Sequence, residues 1–170
     1  VPTFGNTNVG VNWQTAYTDR LYACRYTCPD AGQAQSISWW GQTAGVLIRM
    51  AIYSDNGAGA PLNLLAETGE GTTVANNWVT LAISLTLTAA TVYHLAWRLN
   101  GTCAGRWDAG AANQKRVSGT GQGYGPFPAT FPLPGSTGFA DANSVYCTYT
   151  TAPPPAVGQP LGDGLSFVFG

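Results

Sequence analysis

Along most of this chain apolar and polar residues alternate with a period of two, and no segment keeps a helical period of 3.6 over three turns. A period of two sends successive side chains to opposite faces of a strand. In "LYACRYTC" Tyr22, Cys24, Tyr26 and Cys28 share a face; in "SISWW" Ile37 and Trp39 share one and Trp40 takes the other. "VLIRMAIY" turns Ile48, Met50 and Ile52 inward and Leu47, Arg49, Ala51 and Tyr53 outward. "WVTLAI" gives Val79, Leu81 and Ile83. "VYHLAWRL" gives Tyr93, Leu95, Trp97 and Leu99, with His94, Ala96 and Arg98 opposite. "SVYCTYT" gives Val145, Cys147 and Tyr149, and "LSFVF" follows near the end. Gly, Asn and Pro clusters separate these runs, the spacing of an all-β, antiparallel β-sandwich.

A chain of 170 residues is one ordinary domain, large enough to bury a core. Apolar residues make up 45% and charged residues only 9%, against the roughly 25% usual for soluble proteins. That is not the signature of disorder, which needs few hydrophobes and high net charge. The surface must be built from Thr, Ser, Asn, Gln, Gly and Ala, which suits secreted or assembled proteins. Seven basic and eight acidic residues leave no field for nucleic acid. No apolar run approaches the roughly 18 residues that span a bilayer, so membrane insertion is not expected. The sequence starts at Val1 without Met or a signal-like segment, as a processed or renumbered product would. Cys24, Cys28, Cys103 and Cys147 are an even set, as two disulfides in an oxidising compartment require. Zinc is the rival, with a ligand-like gap between Cys24 and Cys28 but no partners for Cys103, Cys147 or His94; free thiols are the third reading.

Residues 109–138 ("GTGQGYGPFPATFPLPGSTG" at their centre) are too long for a structureless loop and read as functional or as a packed excursion. The chain therefore divides into a sandwich domain over 1–151, a Pro-rich spacer over 152–160 ("APPPAVGQP") and a strand or arm over 161–170. In that arm Leu165, Phe167 and Phe169 form an apolar face, a candidate assembly arm.

"AIYSDNGAGAPLNLLAE", "NNWVTLAISLTLTAATVYHLAWRLNG" and "NSVYCTYT" occur in an order that resembles a widespread jelly-roll-like β-sandwich module of secreted, cell-surface and phage structural proteins. The likeness covers about residues 5 to 150 and implies a fold rather than a function. Inward cysteines near the two ends of jelly rolls commonly pair. On that general pattern Cys24–Cys147 and Cys28–Cys103 are expected, with a local Cys24–Cys28 link as the alternative; the likeness itself does not extend to the cysteines or to the tail beyond Tyr149.

Asp55-Asn56-Gly57 reads as a turn, since Asn and Gly tolerate positive φ and Asp can bond the backbone two residues on. A calcium site drawing on Asp55, Glu67 and Glu70 would need six to eight oxygens and lacks an Asp-x-Asp ladder. His94, placed outward with no acid foreseen to orient it, gives no nucleophilic constellation, and the eight acids are scattered at turns. An enzyme is not expected, and neither is a cofactor. The aromatic residues are the candidates for a ligand or interface: Trp40 and Tyr53 on outward faces, and Trp107, Tyr124, Phe127 and Phe131 in loops. The alternative is that the long loop folds back and buries Tyr124, Phe127 and Phe131. These features point to a non-enzymatic structural protein of an extracellular or virion-surface assembly: capsid decoration, tail fibre or filament subunit. Its partners would be copies of itself or other surface proteins. A carbohydrate-binding or adhesion module is the alternative, with glycans as partners.

Overall fold

The computed structural model describes residues 1–16, 20–110, 116–119, 121, 123–132 and 139–151. The described chain is all strand and loop. In order, the strands are β1 (Thr3–Gly5), β2 (Asn12–Ala16), β3 (Leu21–Cys28), β4 (Gly32–Gly41), β5 (Leu47–Asp55), β6 (Pro61–Glu67) and β7 (Gly71–Thr72). There follow β8 (Asn77–Leu87), β9 (Thr91–Leu99), β10 (Cys103–Ala109), β11 (Arg116–Gly119), β12 (Asp141–Asn143) and β13 (Val145–Thr151). They form two antiparallel sheets. The first runs β1-β13-β4-β10-β12, with β2 also on β10 and β8 on β4; the second runs β11-β3-β9-β5-β6, with β7 also on β5.

The inward rows expected from the alternation meet between the sheets. Tyr22, Cys24, Tyr26 and Cys28 of β3 join Ile48, Met50 and Ile52 of β5 and Tyr93, Leu95, Trp97 and Leu99 of β9 in one buried cluster. The facing sheet contributes Ile37 and Trp39 of β4, Val79 and Ile83 of β8, and Val145, Cys147 and Tyr149 of β13. Tyr22 stacks on Trp97 at 5.5 Å between ring centroids, and Trp39 meets Trp97 from the other sheet at 6.3 Å. Rings this large need room in a layer about 10 Å thick. Two glycines paired across β4 and β10, Gly41 and Gly105, provide it. A Cβ added at Gly41 would come within 2.6 Å of the Trp39 ring, and one at Gly105 within 3.0 Å.

The structure corrects the cysteine reading. None of the four cysteines is disulfide-bonded, and all four are buried. The Cys28 Sγ–H donates to the Asp30 carbonyl just before β4 begins. Cys103 lies beside Gly41, where β4 ends. The length of β4, about 30 Å at roughly 3.3 Å per residue, separates the two, whereas a disulfide requires Cα atoms within about 7 Å. Cys24 and Cys147 belong to opposite sheets, and the Cys24 thiol is turned to the Asp141 carbonyl at 3.2 Å. Burial pushes the Cys147 thiol up to about 12, with nearby Cys28 adding to the shift, which makes it a poor nucleophile. The Pro-rich spacer 152–160 and the arm 161–170, with Leu165, Phe167 and Phe169, lie outside the described residues.

The slot around Trp39 gives a direct test. Gly41→Ala should destabilise the fold by about 1–3 kcal/mol, because the ring is held on several sides and cannot yield freely. Gly69→Ala, whose Cβ would meet nothing within 4 Å, should stay within about 0.5 kcal/mol of the parent in urea denaturation followed by Trp fluorescence.

Candidate functional site

Two outer faces remain once the sheets have buried their inner ones, and the chain treats them differently. On the second sheet, cross-strand register builds three rows over β3, β9 and β5. They are Arg25–His94–Tyr53, Ala23–Ala96–Ala51 and Leu21–Arg98–Arg49. The middle row, three alanines wide, is a shallow trough between two rows of large side chains. The segment 123–132 lies over it. Phe127 and Phe131 pack with Leu21, Ala23, Ala51, Tyr53 and Ala96 as a second apolar cluster. Tyr53 meets the Phe131 ring edge-on at 5.3 Å and the Phe127 ring at 6.2 Å.

Polar pegs hold this strap down. The Tyr53 hydroxyl donates to the Pro128 carbonyl at 2.7 Å, and Arg98 donates to the Pro126 carbonyl at 2.6 Å. Glu67 accepts the Phe127 N–H, and Glu70 accepts the Tyr124 hydroxyl. Backbone bonds from Leu64 to Ala129 and from Phe131 to Leu62 stitch it along β6. Tyr53, Phe127 and Phe131, expected as ligand or interface residues, are thus buried by one another, and Tyr124 is half-buried. This is the folded-back alternative. The strap covers the outward face of β5 from more than 70 residues away, so strand alternation could not register it.

Beside the trough lies a compact polar network. The Asp55 turn forms as expected: Oδ1 accepts the Gly57 N–H at 2.7 Å, and Gly57 takes φ 81°. The other carboxylate oxygen does more. Oδ2 lies 2.8 Å from His94 Nε2 and 3.2 Å from Arg25 Nε. His94 is 0% exposed. His94 takes the outward face as expected, but the expectation that no acid orients it is corrected, because the register sets Arg25 opposite His94 while the turn returns Asp55 over both. With Nε2–H donated to Asp55, Nδ1 is buried without a partner among the described residues. Protonating it would bury a second N–H with no acceptor. Burial accordingly lowers the His94 pKa from its ordinary 6.5, against the opposing pull of Asp55. Burial pushes the Asp55 carboxyl up, but hydrogen bonds from His94, the Gly57 amide and Arg25 outweigh this and hold it below 3.8. Glu67 and Glu70 point to the strap instead, so the three carboxylates do not converge. Among the described residues no group of three His, Cys, Asp or Glu is placed to hold a metal ion.

Among the described residues, the outer face of the first sheet carries no second apolar cluster like the one beneath the strap. Trp13 of β2 pairs with Arg106 of β10, and the Arg106 guanidinium lies 3.1 Å from the Trp13 ring centroid and 5.4 Å from that of Trp40. Trp40 of β4 pairs with Trp78 of β8, and Trp78 meets Tyr146 of β13 edge-on at 5.0 Å. The result is a belt of aromatic residues and one arginine across five strands. Trp40 is buried within it, whereas Trp13 is 46% exposed. Hydroxyls and amides extend the face: Ser38 bonds Thr80 at 2.7 Å, and Gln33 bonds Ser84 and Thr86. Trp107, expected in a loop, sits half-buried in β10 and donates its indole N–H to the Trp13 carbonyl. Trp13, Arg106, Trp78 and Tyr146 were not foreseen. Extending the alternation of "WVTLAI" and "SVYCTYT" to their outward positions would have found Trp78 and Tyr146; nothing local marks Trp13 or Arg106.

No known protein-family model matches the chain, and no curated protein matches it.

The His94 network sets a pH dependence whose sign follows from linkage. The unfolded chain takes up the histidine proton near 6.5, while the folded chain resists it until lower pH. Stability is therefore lost as pH falls below about 6.5, and Asp55 adds a loss in the same direction at lower pH still. As His94 is the only histidine, the thermal midpoint should fall between pH 7 and pH 5, and His94→Gln should flatten that fall. An unchanged slope in His94→Gln would show that the network does not carry it.

Proposed function

We propose that this chain is a non-enzymatic, jelly-roll-like sandwich that serves as a structural subunit of an extracellular or virion-surface assembly. The observation that carries the reading is the contrast between its outer faces. One is closed by the chain's own strap, and the other presents an aromatic and hydroxyl-rich sheet with few charges. A face of this kind docks by removing apolar surface from water, with edge-to-face ring contacts giving orientation. A 9% charge content supplies little repulsion between copies. The partners on this reading are copies of the chain or other proteins of the same surface, and no cofactor takes part.

The half-exposed ring of Trp13 also favours the second reading, a module that binds carbohydrate or mediates adhesion, since such a ring can stack on a sugar face. The two separate in solution. A building block should give multimers by light scattering at about 100 µM, a Kd range typical of weak self-association. A glycan module should stay monomeric and be retarded in gels containing neutral polysaccharide, with Trp13→Ala losing the retardation while remaining folded. A monomer without retardation would refute both.

A further inference from the structure

β8 leaves an edge unfinished in two respects. Its eleven residues pair with β4 on one side and with no described strand on the other. Its sequence, NWVTLAISLTL, has none of the Lys, Pro or other charged residues by which exposed edges usually resist strand addition. Its inward row is also incomplete. Val79, Ile83 and Leu87 are buried, while Leu81 and Leu85 between them are only partly covered. A further strand on this edge would need an apolar face toward the core and small or polar residues beside Thr80, Ala82 and Ser84, which are exposed.

Residues 161–170, "LGDGLSFVFG", have that pattern: Leu165, Phe167 and Phe169 alternate with Gly164, Ser166 and Val168. We infer that β8 is the acceptor for this segment from a second copy of the chain, which adds as a strand and covers Leu81 and Leu85. Backbone pairing supplies the attachment and the alternating side chains fix its register. The choice of a second copy comes from the assembly reading, since the chain's own edge is also near. Thr151, Gly32 and Leu87 form one row across β13, β4 and β8, so a chain's own β8 edge lies two strand spacings, about 10 Å, from the end of β13. A Pro-rich sequence such as "APPPAVGQP", extended, spans about 28 Å, enough to reach the edge of a neighbouring copy as well.

The inference rests on the assembly reading, and the experiment separates the two. Multimers of the full chain are compared with a chain lacking 161–170, and a synthetic 161–170 peptide is then added to the shortened chain. The shortened chain should be folded and monomeric, bind the peptide, and show slowed amide exchange at 77–87. Ala82→Lys, on the exposed side of β8, should weaken the peptide at least about tenfold while leaving the fold intact. Continued assembly of the shortened chain would overturn the inference but keep the assembly reading. Unfolding of the shortened chain would overturn it by assigning the segment to its own core. A folded monomer that ignores the peptide, or is protected elsewhere than β8, would overturn it too. A full chain that stays monomeric would overturn both.

Discussion

Every strand here has two faces, and two sheets packed together can bury only one face of each. That constraint organises the molecule. The inner faces are closed by Trp39, Trp97, Tyr22 and their aliphatic neighbours, with Gly41 and Gly105 making room for the largest ring. Each outer face then has to be covered, made polar or left for something else. On the second sheet the chain covers it, and the three-alanine row of β3, β9 and β5 makes close cover possible. Larger residues at Ala23, Ala51 or Ala96 would lift the strap from the sheet and separate its pegs from their partners.

The charged residues are distributed by the same constraint. Among the described residues, the ion pairs of Arg25 with Asp55 and of Arg49 with Glu70, and the hydrogen bond from neutral His94 to Asp55, stand on the covered second sheet. There they are partly shielded from water, where a hydrogen-bonded pair is worth more than on an open surface. The first sheet's outer face carries Arg106 pressed on Trp13 and a field of hydroxyls.

Local alternation made the inner core legible, because the inward position of Ile37, Met50, Leu95 or Cys147 depends only on parity along a strand. What it could not reach were contacts between distant residues. Tyr53 reads as outward and is outward, yet it is buried because Phe127 and Phe131 return over it. His94 gains its acid from a turn 39 residues away. The cysteine pairing failed for the same reason: parity says which way a thiol faces, while the length of β4 decides what it can reach. The Asp55 turn was legible in its backbone and not in its second oxygen, since one carboxylate serves a local and a long-range role at once.

The pairing of β1 with β13 has a mechanical consequence. Thr3 lies opposite Thr148 and Gly5 opposite Tyr146, so the start of β1 and the end of β13 lie at the same end of the sheet. Tension applied between those two points acts across the strands. It opens the ladder one hydrogen bond at a time instead of shearing all of them together. With only three residues in β1, the first strand would peel away under modest force while the aromatic core stayed intact. The junction of the first and last described strands would thus act as a compliant joint, and the rest of the sandwich would stay closed around it.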